Sequence, residues 1–81
     1  MDYVESTTVE LREKYLNSEV EPYIVVVALV AMAKAGKIRN DSITAILNEV
    51  FKGFETDLIK GLTKAREIID AELIDEVIEK A

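Results

Sequence analysis

The side chains able to do chemistry in this chain are carboxylates, amines and hydroxyls: its 81 residues include sixteen Asp and Glu and ten Lys and Arg, with no His and no Cys. Two carboxylate pairs have the spacing of neighbours on a helix, Asp75 with Glu79 and Asp70 with Glu67. One acid kept protonated beside one kept ionised is what general acid and base catalysis needs. In a chain this rich in acid such pairs arise by chance, and these lie opposite an apolar stripe, facing water. Without imidazole or thiol, nucleophilic catalysis would fall to Ser, Thr, Tyr or Lys, and no Ser or Thr stands in an elbow or dyad motif. No catalytic residue is expected.

The same absences bear on metals and cofactors. Structural zinc is held by Cys and His, which are missing. Asn40-Asp41-Ser42 lacks the alternating acids and the distant Glu of a calcium loop and suits a helix cap instead. Gly36-Lys37 has neither the upstream Gly nor the following Ser or Thr of a phosphate loop. Neither metal nor cofactor is expected. Cations on one predicted helix, Lys60, Lys64 and Arg66, give the alternative reading: two helices between Asp41 and Ile69 joined by a short turn, as in a helix-turn-helix regulator of transcription. Against it stands a net charge of −6, which repels phosphate at long range.

Of the residues, 49% are hydrophobic and 32% charged, the balance of a globular chain. Charge is uneven, with acidic ends and a mildly basic middle, a layout suited to docking one copy or one partner on another. A chain of this size buries only about 60% of its unfolded surface and gains stability from disulfides, metal or association. Lacking the first two, it is expected to associate. The missing Cys and an acidic start at Asp2, Glu5 and Glu10, unlike a secretory leader, point to the cytoplasm.

Three glycines and one proline divide residues 1–81, a single helical domain, into helix-length pieces. Residues 1–6 are expected as a loose N-terminal arm, and a first helix over 7–17 is capped by Thr7 with Glu10 completing the box. The apolar run Tyr23 to Ala33 is read as a helix because Pro22 can open it, Lys34 and Lys37 favour its end, and Gly36 can supply a left-handed cap. Eleven residues reach about 16 Å, half a bilayer core, so it is not a membrane span. Asn40 or Asp41 caps a third helix whose Ile43, Ile46, Leu47, Val50, Phe51 and Phe54 share one face, with Gly53 ending it and Phe54 folding back on its last turn. A fourth starts at Thr56 or Asp57 and turns Leu58, Ile59, Leu62, Ala65, Ile68 and Ile69 inward, with Gly61 as its weak point. The stripe shifts phase near Asp70, so residues 57–81 form one helix or two.

The sequence therefore predicts an all-α, four- or five-helix bundle, paired as a helical dimer. A helix apolar all round must be covered all round, and short neighbours scarcely wrap it within one subunit. Ile24, Val27, Leu29, Val30, Phe51, Phe54, Val77 and Ile78 are the expected interface, and Asp at Val27 or Leu29 is expected to abolish folding and association. The function expected is that of a small acidic, non-enzymatic interaction module, an accessory subunit or adaptor, binding a protein partner or itself as a homodimer, with no membrane or nucleic-acid partner.

Three local stretches, Ala35-Gly36-Lys37-Ile38, Ile43-Thr44-Ala45-Ile46-Leu47 and Ile74-Asp75-Glu76-Val77-Ile78-Glu79-Lys80-Ala81, are similar to the N-terminal dimerisation domain of archaeal and eukaryotic ribosomal stalk proteins. The resemblance implies a helical homodimer that seats a partner helix. The chain departs from that family in its additional N-terminal segment, in a third helix that is not Ala-rich, and in lacking the hinge and charged tail, so stalk function is not expected.

Overall fold

A computed structural model describes residues 2–80; Met1, in the expected arm, and Ala81, closing the third similar stretch, lie outside the described residues. Five helices follow one another without a strand among the described residues: α1 (Tyr3–Leu16), α2 (Pro22–Lys34), α3 (Asn40–Val50), α4 (Glu55–Ile68) and α5 (Ala71–Lys80).

The expected loose arm is instead the start of α1. Asp2 caps it, accepting from the Glu5 backbone N–H at 2.8 Å. Ser and Thr are weak helix formers in isolation, but here Thr7 is buried and the Thr8 hydroxyl donates to the Val4 carbonyl at 2.7 Å. Packing of the first turns outweighs the local preference. The helix closes on Ser18, which takes a left-handed φ of 59°, and the Glu19 N–H reaches the Lys14 carbonyl at 2.8 Å.

In α2 the boundary signals hold as read. Pro22 opens the helix, Gly36 adopts a φ of 76°, and the Lys37 N–H bonds the Met32 carbonyl at 2.9 Å, closing a Schellman turn. Helix α3 begins at Asn40 with Arg39 in the cap position, and α4 begins at Glu55 with Phe54 before it. The Phe54 N–H bonds the Phe51 carbonyl at 2.7 Å, at the end of the α3 segment. The Phe54 ring stands 5.4 Å from that of Tyr15 on α1, edge to face, while Phe51 meets the same tyrosine at 4.7 Å. Past α4 the chain breaks at Ile69, and Asp70 caps a separate α5 through a 3.1 Å bond from the Leu73 N–H.

The core is built on α2. Val25, Val26, Leu29 and Val30 have no exposed surface, enclosed with Ile43, Ile46, Leu47, Val50 and Phe51 of the α3 segment, Leu62 and Ala65 of α4, and Leu73, Ile74 and Val77 of α5. Each buried Val, Leu, Ile or Phe contributes about 1.5 to 3 kcal/mol of hydrophobic stabilisation. The expectation that α2 lacks cover within its own chain is thus corrected: α4 lies along it, α3 and α1 close the remaining inner side, and only its outer face stays open. The radius of gyration, 11.3 Å, is close to the roughly 11.7 Å of a compact monomer of this length.

Ion pairs tie α5 down. Arg66 grips Asp75 with two bonds of 2.7 and 3.0 Å, Lys80 holds Asp41 at 2.9 Å, and Lys34 holds Asp70 at 2.8 Å. Hydrogen bonds from these cations keep all three aspartates below the ordinary carboxylate range. A group with a depressed folded value contributes stability above its unfolded value and loses it as pH falls through the folded one. Below about pH 4 the amides of α5 are therefore expected to lose hydrogen-exchange protection before those of α2. Equal loss in both helices would show that the pairs do not hold α5.

Candidate functional surface

Four of the eight residues expected at an interface are inside the molecule. Leu29 and Val30 are at 0% exposure, Phe51 at 1% and Val77 at 3%, so each packs on its own chain and presents nothing to a partner. Periodicity placed them on apolar faces correctly, but the side of the helix that meets its own neighbours took them. The other four reach the surface: Ile24 at 39%, Phe54 at 43% and Ile78 at 46%, with Val27 half-buried at the edge of the core.

Two apolar side chains expected to turn inward on the fourth helix are instead exposed, because Gly61, Leu62 and Ala65 take the core side of α4. Ile59 and Ile68 on α4 are the most open, at 63% and 57%. On α2, Ile24, Ala28 and Ala31 recur at helical spacing on the side turned away from the core, with Val27 beside them. Helix α4 runs in the same sense as α2: the backbone of Pro22 abuts Gly61, the Lys64 ammonium sits 4.1 Å over the Tyr23 ring, and Lys34 meets Asp70 past the end of α4. One turn beyond Tyr23 and Lys64 come Val27 and Ile68. The open face of α2 and Ile68 of α4 thus form an apolar strip, bounded by Lys64 at one edge.

The candidate chemistry disperses. Asp75 is gripped by Arg66 and Asp70 by Lys34, each as part of a helix contact. Among the described residues no group of three or more acids could hold a metal ion, and no helix is long and apolar enough to cross a membrane.

Nor do the three cations of the nucleic-acid alternative share a face. Lys60 and Lys64 line an open groove with Glu21, Tyr23 and Asp57, whereas Arg66 lies on the far side of α4, held by Asp75. Helix α4 packs on α2 and α5 in place of crossing α3, unlike the paired helices of a helix-turn-helix.

Two polar contacts brace α1 against the end of α3 and the start of α4. The Arg12 guanidinium donates to the carbonyls of Val50 at 2.6 Å and Lys52 at 3.0 Å, at the C-terminal end of α3, where a cation is favoured. It also lies 5.7 Å from the centre of the Phe54 ring. No local motif marks it, because its partners are far along the chain. Arg12→Met is expected to lower stability by about 2 kcal/mol in urea unfolding, from lost charge-assisted bonds. An unchanged midpoint would show that the cap is idle.

The Tyr15 hydroxyl donates to the Asp57 carboxylate. Burial first, and then this bond, push its pKa up to about 12, against the opposing charge of Arg12. A raised folded value means that the stability is present below the unfolded value, near 10, and is lost as pH rises toward 12. Over that window the wild type is expected to lose stability that Tyr15→Phe does not; parallel curves would contradict the bond.

Compared with protein families, with curated proteins and with solved structures, the chain finds no match in any of the three.

Proposed function

We propose that this protein is a small, non-enzymatic interaction module, an accessory subunit or adaptor whose activity is to bind a protein partner or a second copy of itself. The five helices then act as a bundle that presents apolar helix faces. One observation carries this: the core closes within a single chain, yet an apolar strip on α2 and α4 stays open to solvent, with Ile24 at 39% and Ile68 at 57% exposure. Contiguous exposed apolar surface rimmed by charge is typical of a docking site.

The test is cross-linked capture from host cells, comparing wild type with Ile24→Lys, Ile68→Lys and Ile59→Lys chains that keep their helical circular dichroism. Binding of one protein in fixed proportion, lost with Ile24→Lys or Ile68→Lys, supports the function. Identical recoveries from all four chains would contradict it. Binding to duplex DNA that weakens steeply with salt would favour the regulator instead.

A further inference from the structure

We infer that the partner of the α2 strip is a second copy of this chain, docked with its α2 antiparallel about a two-fold axis beside Ala28. The inference rests on the interaction function above and names its occupant.

Two features of α2 are complementary to themselves. The first is charge. Glu19 and Glu21 stand at its N-terminal end, Lys34 and Lys37 at its C-terminal end, and all four are exposed. A two-fold pair must match each surface with itself, and an antiparallel helix pair does so by laying the acidic end of one copy beside the basic end of the other. Lys34 already holds Asp70, but its side chain remains 52% exposed, and an ammonium has three donors. A parallel pair would set like charges together at both ends.

The second feature is size. With the axis level with the Val27–Ala28 peptide, the branched side chain of Ile24 in one copy comes level with the methyl of Ala31 in the other, and the two Ala28 residues lie within about 1.5 Å of each other along the helix axes. Large therefore meets small along the contact, and the Ala28 pair lets the helices approach closely. A standard interface covers about 800 Å² on each partner, a fraction of the 4979 Å² this chain exposes. Ile68 and the Tyr23 and Lys64 pair flank the strip and widen the contact. The net charge of −6 opposes association at long range. At roughly 0.15 M salt the Debye length is about 8 Å, so that repulsion is screened while the contacting ends keep their attraction.

The chain has no cysteine, which makes a single introduced thiol a clean reporter. Under mild oxidation Ala28→Cys is expected to form a disulfide dimer rapidly, because the two-fold brings the thiols within bonding distance. Ile59→Cys, on an apolar position away from the strip, is expected to lag at least about tenfold. Ala31→Glu, a helix-compatible change at an exposed position, places a carboxylate opposite Ile24 of the other copy. It is expected to weaken dimerisation about tenfold or more in sedimentation equilibrium while leaving the helical spectrum intact. Equal oxidation rates for the two cysteine variants, or dimerisation insensitive to Ala31→Glu, overturn the antiparallel pair. A wild type that stays monomeric to about 1 mM overturns self-pairing altogether, whereas the wider interaction function would fall only if the capture experiment showed no difference among its chains.

Discussion

Leu29→Asp is expected to unfold the chain, leaving a coil spectrum in far-ultraviolet circular dichroism. Leu29 has no exposed surface and lies at the centre of α2 with Val25, Val26 and Val30 around it. Removing the leucine alone would cost about 2 to 5 kcal/mol in lost packing and cavity. A carboxylate there would add several more, for lack of a counter-charge or water. A single core of this size rarely supplies more than about 3 to 5 kcal/mol in total. The neighbouring Val27→Asp is expected to behave differently. Val27 is half-buried at the rim of the open face, so its carboxylate can reach water, and the chain should fold with reduced stability. Both positions lie in one unbroken apolar run, so nothing in their local pattern separates them. A folded Leu29→Asp protein would mean that α2 is not the centre of the core.

Gly61→Ala should also destabilise, by about 1 to 3 kcal/mol, the cost of inserting a methyl into a filled space. The sign is the informative part. In an exposed helix the same change stabilises by up to about 1 kcal/mol, since glycine loses more backbone entropy on folding. A Cβ at Gly61 would stand 2.9 Å from the carbonyl carbon of Pro22 and 3.0 Å from its oxygen. These are backbone atoms at the start of α2 and cannot swing aside as a side-chain tip would, so α2 and α4 would have to separate. The loss should appear as a lower urea midpoint with an unchanged slope. A gain in stability would place α4 farther from α2 than the structure has it.

That glycine shows where sequence stops informing. Taken alone, Gly61 reads as a weak point in α4, because nothing local says that another backbone passes within van der Waals contact. Some signals confined to one helix survived folding: Pro22 opening α2, Gly36 closing it, Asp70 capping α5. The caps expected at Asn40 or Asp41 and at Thr56 or Asp57 did not, since Arg39 and Phe54 hold those positions without a side-chain bond. Nor did signals that depend on neighbours. Thr7 reads as a cap until packing buries it inside α1. Arg12 is ordinary in sequence and becomes the cap of α3 only when α1 lies beside it. The surface was half legible for the same reason. An apolar run reveals that a helix is wanted on several sides, but not which side its own chain covers. Ile24 and Leu29 are equally apolar in sequence, yet one stands at the surface and the other is enclosed.

In the proposed pair, a core complete in one chain is joined to a second through an open apolar face. Circular dichroism melts of the wild type over protein concentrations from about 10 μM to about 1 mM test the core and the pairing together. Cooperative unfolding of a helical chain is expected even at the lowest concentration, with a melting temperature that climbs as concentration rises. Loss of cooperativity on dilution would contradict the closed core, and a melting temperature flat across the whole range would contradict the pairing.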